Sequence, residues 1–434
     1  MNKQILRLAI PNILSNLSIP LLSLVDTALM GHLEGVHFLG AIAIGSTIFN
    51  FIYWGFGFLR MGTTGLTAQA FGKNDYRESI LIFSRALIVV IAAAAFLLVL
   101  QTPIAWLCFY LFDASAEVET FARSYYDIRI GAAPATLALY AFHGWFLGMQ
   151  NANYPLILTV AVNVLNIIFS YLLVFVFHLN SDGVALGTVL AQYIGLLIAV
   201  YLFFQKYTLI EFRLIKKSVL NPKPFKNFLA INSDIFIRTL CLVFVFTYFT
   251  AESATFGDVI LAANAILFQL WMVLAHFIDG LAFAAESLVG KFIGAKQKKA
   301  LKKAIRYLFL WTTVVGIAFT AGYYLYPTEI IRIFTNNPEI IDTALLFIGW
   351  TISAPLVCGI CFIWDGVFIG ATDSKSMRNS MLFCTLIVFL PTYFFTQGAF
   401  ENHALWLAMT MFMLFRGFTM TYYAYKRIPL WLSR

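Results

Sequence analysis

Charge is what this 434-residue chain has least of: only 12% of its residues are Asp, Glu, Lys or Arg, against about 25% in ordinary soluble domains. Cysteine is also sparse, five in all. Cys108, Cys241, Cys358, Cys361 and Cys384 lie in or beside apolar segments, and Cys358-x-x-Cys361 has no second pair to complete a metal site, so packing is the expected role. No Gly-Lys-Ser/Thr loop is present to cradle a nucleotide phosphate, which excludes ATP as an energy source. No His/Cys/Glu cluster has ligand spacing, and the connecting loops are too short for a catalytic domain. Neither a metal, a cofactor nor an enzymatic activity is therefore expected. There is no Ala-x-Ala exit after the first apolar run, so that run reads as a span and not as a cleavable leader.

What the chain has instead is apolar surface. Hydrophobic residues make up 61%, where about 45–50% is usual, and 44 Phe are present. No soluble core hides that much, so the solvent is lipid and the fold is an all-α integral membrane protein. A span needs about 20 mainly apolar residues. Twelve segments qualify, at 5–31, 38–62, 80–104, 119–149, 154–178, 184–205, 226–251, 256–285, 301–326, 337–370, 375–397 and 402–425. The net charge of +8 does not point to nucleic acid, because 22 of the 29 Lys and Arg fall in alternate loops on one side. The positive-inside rule then puts both termini in the cytoplasm of a multi-pass protein of the inner membrane, as an even number of spans also requires.

The two halves repeat. Leu39-Gly-Ala-Ile-Ala-Ile44 aligns with Leu261-Ala-Ala-Asn-Ala-Ile266, and His143-Gly-Trp-Phe-Leu-Gly148 with Asp365-Gly-Val-Phe-Ile-Gly370, both at an offset of 222, which also pairs Gly72 with Gly294. A duplicated unit of six helices keeps its orientation, so the copies relate by an axis along the membrane normal. The expected division is a first lobe at 1–205, a cytoplasmic linker at 206–225 broken by Pro222 and Pro224, and a second lobe at 226–434. Two like bundles on a linker have the plan of an alternating-access transporter.

Polar groups inside the spans mark the candidate site. Asp26 stands in the middle of the first apolar segment, where a carboxyl costs about 2.5–3.5 kcal/mol on insertion scales; ion or proton handling is the usual reason for one there. Pro20, six residues earlier, removes a backbone hydrogen bond and makes a hinge. Asn163, Asn166 and Ser170 share a face of the fifth span, with Thr188 on the sixth, and could ring Asp26 or simply bind helix to helix. In the second half His276, Asp279 and Glu286 fall on one face, Glu286 near the cytoplasmic end where a neighbouring cation would pair with it. Asp365 is mid-span and matches His143 under the repeat, so both are cavity candidates. Arg60, Arg85 and Arg416 read as snorkelling side chains or gate salt bridges.

At these residues the chain resembles the MATE (multidrug and toxic compound extrusion) family, specifically its DinF branch. The resemblance rests on Leu8-Ala-Ile-Pro11-Asn12, Leu24-Val-Asp26-Thr-Ala28 with Gly31-His32, and Leu59-Arg-Met-Gly-Thr-Thr-Gly-Leu-Thr-Ala-Gln-Ala-Phe-Gly72. Asn163-Val-Leu-Asn166, Ala262-Ala-Asn-Ala-Ile266, Asp279-Gly280 with Glu286, Asp365-Gly-Val-Phe-Ile-Gly-Ala371 and Met377-Arg-Asn379 extend it over nearly the whole chain. It implies two pseudo-symmetric six-helix lobes around a cleft, and export of organic, often cationic or amphipathic, compounds against an inward proton or sodium gradient. It maps the main coupling carboxyl to Asp26 and the residues assisting it to Asn166 and Thr188. Several members carry an Asp four residues after that Asn; here Ser170 stands there, so the paired-carboxylate form of the site is missing. A single carboxyl suits a proton better than sodium, which wants a shell of oxygens. The expected partners are small organic substrates, protons or sodium ions and the lipid bilayer, with the chain acting as a monomer. A lipid-linked oligosaccharide or lipid flippase of the same superfamily is the rival reading, and it should show a strongly basic central cavity. A membrane-embedded lipid-modifying enzyme is the rival from another class.

Overall fold

The computed structural model describes residues 1–31, 36–111, 115–207 and 218–432; the side chains of 19–31, 36–37, 39 and 111 lie outside the described set. All regular structure among the described residues is helical. The first lobe is built from α1 (Asn2–Gly31), α2 (Val36–Gly55), α3 (Phe58–Gly72), α4 (Tyr76–Val99), α5 (Gln101–Leu111), α6 (Ala116–Arg129), α7 (Ala133–Gly148), α8 (Asn153–Tyr171) and α9 (Asn180–Tyr207). The second comprises α10 (Pro222–Thr255), α11 (Asp258–Gly294), α12 (Lys298–Leu325), α13 (Pro327–Arg332), α14 (Pro338–Gly370), α15 (Ser374–Phe383), α16 (Leu390–Phe400) and α17 (Asn402–Trp431). Among the described residues, eleven helical stretches beyond α1 are long and apolar enough to cross a membrane. With α1 the architecture is twelve membrane helices in two pseudo-symmetric lobes.

Spans two and eight run further than the apolar pattern indicates, to Gly72 and Gly294 in place of 62 and 285. Hydropathy ends a span where polar residues begin. These polar turns stay helical because they are buried against each other, as with Thr63, Thr64, Thr67 and Ser287, all 0% exposed. The α11 helix, at 37 residues, is about 55 Å long at 1.5 Å per residue.

Two separate hydrophobic cores result. One gathers residues from Ala41 to Phe203 with Phe228, bringing the rings of Phe83, Phe142, Trp145 and Phe203 into contact. The other is drawn from Ile231 to Trp431, joined by Ile5, Leu8 and Ala9 of α1 and by Leu147 and Ala152. The opening turns of α1 thus pack into the core of the opposite half. One polar network is buried inside the second core: Asn264 donates to Asn402 Oδ1 at 2.7 Å and to Ser253 Oγ at 2.9 Å, and accepts from Trp406 Nε1 at 2.9 Å. Cys358 and Cys361 are free and buried; Cys358 Sγ accepts from Trp271 Nε1 at 3.2 Å.

The 222-residue repeat is written into the backbone. Left-handed turns recur at Asn74 (φ 57°) and Lys296 (φ 54°), and at Gln150 (φ 61°) and Thr372 (φ 53°). A Cβ on Gly144 would collide with the Arg60 carbonyl, and one on Gly366 with the Ala282 carbonyl, so α7 meets α3 as α14 meets α11, at positions 222 apart. Such Gly-x-x-x-Gly faces let membrane helices approach backbone to backbone. The copies also differ. In the first lobe the fourth span breaks at a 3-10 turn (Ile130–Ala132) ahead of Pro134, whereas α14 runs continuously through Pro355. The fifth span ends in a π-helical turn at Leu172–Val176, while its counterpart carries one mid-span at Cys384–Phe389.

The lobes meet most closely at the end of the bundle that carries the termini, called here the base. There α3 crosses α11 on the pseudo-two-fold axis: Gly72 lies against the Lys291 carbonyl, and its repeat mate Gly294 against that of Gln69, the repeat mate of Lys291. Neither position has room for a Cβ. Replacing Gly294 with Val is expected to lower the stability of the detergent-solubilised protein by about 1–3 kcal/mol. Gly398→Val, at a position with nothing within 4 Å, should leave the thermal midpoint unchanged.

Candidate functional site

Among the described residues, three polar regions inside the bundle bear on function. The first is where α8 and α9 pack beside α1. Asn163 donates to the Ser18 hydroxyl at 3.0 Å and to the Ser18 carbonyl at 3.3 Å, pinning α8 to α1. Asn166 donates through Nδ2 to Thr188 Oγ1 at 2.8 Å, and Thr188 in turn donates to the Val184 carbonyl at 2.9 Å. Gly187 brings α9 so close to α8 that a Cβ would sit 2.8 Å from the Ser170 hydroxyl. Asn166 and Ser170 are 2% and 0% exposed, yet Asn166 Oδ1 and Ser170 Oγ find no hydrogen-bond partner among the described residues. Buried oxygens are normally satisfied; these two, which are among several buried polar atoms without a partner, stand one helical turn apart. The side chains of Asp26 and Pro20 lie outside the described residues; the α1 backbone carrying them is helical.

The second region joins the lobes. Arg60 of α3 grips Glu286 of α11 with two parallel bonds, Nη1–Oε2 at 3.0 Å and Nη2–Oε1 at 3.2 Å. Its guanidinium lies over the Phe283 ring, 3.8 Å from the centroid. Glu286 is 1% exposed, which makes this a desolvated, bidentate bond between halves. Seam bonds continue toward the base. Gln69 donates to the Gly370 carbonyl at 2.9 Å and to Thr372 Oγ1 at 3.2 Å, Gln150 to the Ser287 carbonyl at 2.9 Å, and Ser287 to the Leu147 carbonyl at 2.7 Å.

Deeper in the second lobe Asp365 sits between two guanidiniums, accepting from Arg416 Nη2 at 2.6 Å and from Arg238 Nη2, all three buried. The sequence reading of Arg416 as a snorkelling side chain or a gate salt bridge is corrected here: it is fully buried, and it pairs within its own lobe with Asp365, which supplies the counter-charge it needs at depth. Arg238 was missed. It stands well inside the apolar run of α10, and that interruption is the signal that marks it. Arg85, likewise buried, pairs with Glu78 at 2.7 Å and donates to the Val219 carbonyl at 3.2 Å.

The stripe of His276, Asp279 and Glu286 does not form one cluster. Glu286 is committed to Arg60; the His276 carbonyl accepts from Asn16 at 3.2 Å, tying α1 to α11. Asp279 makes no hydrogen bond or ion pair with any described residue, though the charges of Arg238, Arg60, Asp365 and Glu286 all reach it. His143 lies beside Gly144 at the α3–α7 contact, and its Nε2 has no hydrogen-bond partner among the described residues.

Two lobes duplicated in sequence, closed at one end and holding unpaired polar groups inside, are the frame of a transporter, and the MatE profile matches residues 11–172 and 235–394, once in each lobe. The chain belongs to this family. It is 37% identical over 427 residues to DNA damage-inducible protein F of Escherichia coli, covering 96% of this chain and 91% of that one. It is 23% identical to the multidrug export protein MepA of Staphylococcus aureus over 92% of this chain and 88% of the other. Among solved structures, the Vibrio cholerae MATE transporter VcmN in its bent form superposes with a TM-score of 0.87 at 20% identity, over 99% of this chain and 97% of that one. The protein is accordingly a multi-pass membrane transporter of the DinF branch and not an enzyme.

The Asp365 cluster generates a prediction. Asp365→Asn leaves two buried guanidiniums without a carboxylate, whereas Arg238→Met leaves a one-to-one pair. Breaking a buried pair typically costs about 3–5 kcal/mol. Asp365→Asn should therefore depress the thermal midpoint much more than Arg238→Met, and equal depression would show that Arg238 and not the charge balance sets the stability.

Proposed function

We propose that the protein is a secondary antiporter that exports organic, cationic or amphipathic compounds in exchange for protons, with sodium the alternative coupling ion. On this reading its lobes, 1–205 and 226–434 joined by 206–225, alternate their access across the inner membrane with both termini in the cytoplasm. The observation that carries the reading is the pair of orphaned buried oxygens, Asn166 Oδ1 and Ser170 Oγ, beside the helix that contains Asp26. With Thr188 already bound to Asn166, these groups form a scaffold that holds a donor or a cation in place. The names of the relatives, one an export protein for many drugs, support the substrate class.

In this mechanism Asp26 takes a proton from the outer side, loses its attraction for a cationic substrate, and the substrate leaves. The lobes then rock, and the proton exits inside. A difference of one pKa unit between the two states supplies about 1.4 kcal/mol of coupling. Each imported charge contributes about 2.3 kcal/mol per 100 mV of membrane potential. The rocking step has to break the Arg60–Glu286 bond, so that pair acts as the latch of the base-closed state.

Against a flippase stands the charge balance at membrane depth: Arg60, Arg238 and Arg416 are set against Glu286, Asp365 and Asp279, which does not make the strongly basic central cavity that a phosphate-linked sugar requires; the chain's basic cleft lies at the base and not at the centre.

The test is export by proteoliposomes under separately imposed proton and sodium gradients. Proton coupling requires transport with the proton gradient alone, loss of it in Asp26→Asn without change in the thermal midpoint, and a partial loss in Ser170→Ala. Full activity of Asp26→Asn would refute the role of that carboxyl, and transport under the sodium gradient alone would reassign the ion.

A further inference from the structure

A cleft of about 860 Å³ opens at the base of the seam. Residues of both lobes line it. Arg7 comes from α1, Arg77 from α4 and Lys206 from α9, while Leu288 and Lys291 come from α11 across the seam. Its walls are aromatic: the Lys206 amine lies 5.3 Å from the Tyr154 ring centre, and the Lys291 amine 5.6 Å from that of Phe71. None of the four cations forms an ion pair or hydrogen bond with a described residue, and no carboxylate lines the cleft among those residues. This sets the four apart from Arg60, Arg85, Arg238 and Arg416 of the interior, each of which has a carboxylate partner.

We propose that this cleft binds a phosphate-bearing anion, and that the bound anion holds the lobes together at the base. Four uncommitted cations converging on one cavity repel one another, and a multivalent anion removes that repulsion. Lysine and arginine are the residues that recognise phosphate, and basic pockets between membrane helices suit headgroups. The volume lies within the range of ordinary ligand sites. The second part follows from where the residues come from. Separating the lobes at the base carries Lys291 and Leu288 away from Lys206 and Arg77, so the site exists only in the closed arrangement. A ligand that binds one of two states shifts the equilibrium toward it by its differential affinity. The site is then a regulator of the cycle, whichever ion drives transport.

Phosphate can arrive as the headgroup of an anionic lipid or as a soluble ester, and the experiment separates them. Spin labels at Lys73→Cys and Gln297→Cys, one exposed residue on each lobe at the base, report the distance between lobes by electron double resonance, with Cys108 and Cys241 changed to Ala. The full chain is placed in nanodiscs of phosphatidylcholine, alone or mixed with phosphatidylglycerol, and in a third arm phosphatidylcholine discs receive inorganic phosphate against chloride at matched ionic strength. The proposal expects the short-distance population to rise with phosphatidylglycerol, with phosphate, or with both, the responding arm naming the source. In Lys206→Gln/Lys291→Gln the anion concentration for half-effect should rise by roughly tenfold for each 1.4 kcal/mol of lost contact, with the thermal midpoint in pure phosphatidylcholine unchanged. A distance distribution indifferent to both anions, or a double variant that responds as the parent does, would overturn it.

Discussion

Everything in this molecule hangs on two helices touching without side chains between them. Where α3 crosses α11 at the base, Gly72 and Gly294 each face a carbonyl of the opposite helix, and no other residue fits. Lipid offers no hydrophobic force to push helices together, so association in a membrane depends on close packing and hydrogen bonds. The seam uses both. Glycine gives the approach, and Gln69, Gln150, Ser287 and the Arg60–Glu286 pair use the short distance to bond across it. Because the contact lies on the pseudo-two-fold axis, each half contributes the same elements, and the interface is a set of many modest bonds. That is the kind of contact that can be made and unmade in a cycle.

The interior charges sort by the same logic. Charge between the lobes is paired across the seam, so Glu286 and Arg60 are desolvated together and exposed together. Charge within the second lobe is paired inside it, as in Asp365 with Arg238 and Arg416, and moves as one body with its helices. Among the buried polar groups left without a partner are the oxygens of Asn166 and Ser170 in the first lobe and His143 Nε2, and Asp279 lies within reach of both ion clusters without pairing in either. Uncompensated polar groups at membrane depth are costly, so positions such as these give exchange with ions or substrate a physical reason to happen.

Much of this was legible in the residues. The twelve spans, the duplication and the family could be read from apolar runs and from matches at one offset, because lipid enforces hydropathy and a shared ancestor preserves spacing. The same offset reappears in left-handed turns at Asn74 and Lys296 that no hydropathy pattern announces. What could not be read were the partners. Glu286 has Lys291 five residues away in sequence and finds Arg60 instead, 226 positions distant, because helix crossing and not chain proximity sets the pairing. Arg416 passed for a residue at a membrane edge because its depth depends on Asp365, on another helix. Arg238, a cation within an apolar run, carries the same message as a buried carboxyl does, but its partner Asp365 lies 127 positions away. The ends of spans two and eight were cut short for a related reason: their polar last turns are buried in the seam and not in lipid.

The account stands on the base seam opening and closing once per transport cycle. Gln69→Cys/Thr372→Cys, whose parent side chains meet at 3.2 Å across the seam, can be bridged by a short reducible bis-methanethiosulfonate linker and assayed for gradient-driven export in proteoliposomes. The account predicts that export stops while the bridge is intact and returns when it is reduced. Undiminished export through a bridged seam would mean that the lobes do not part there, and the alternating-access reading of this structure would be wrong.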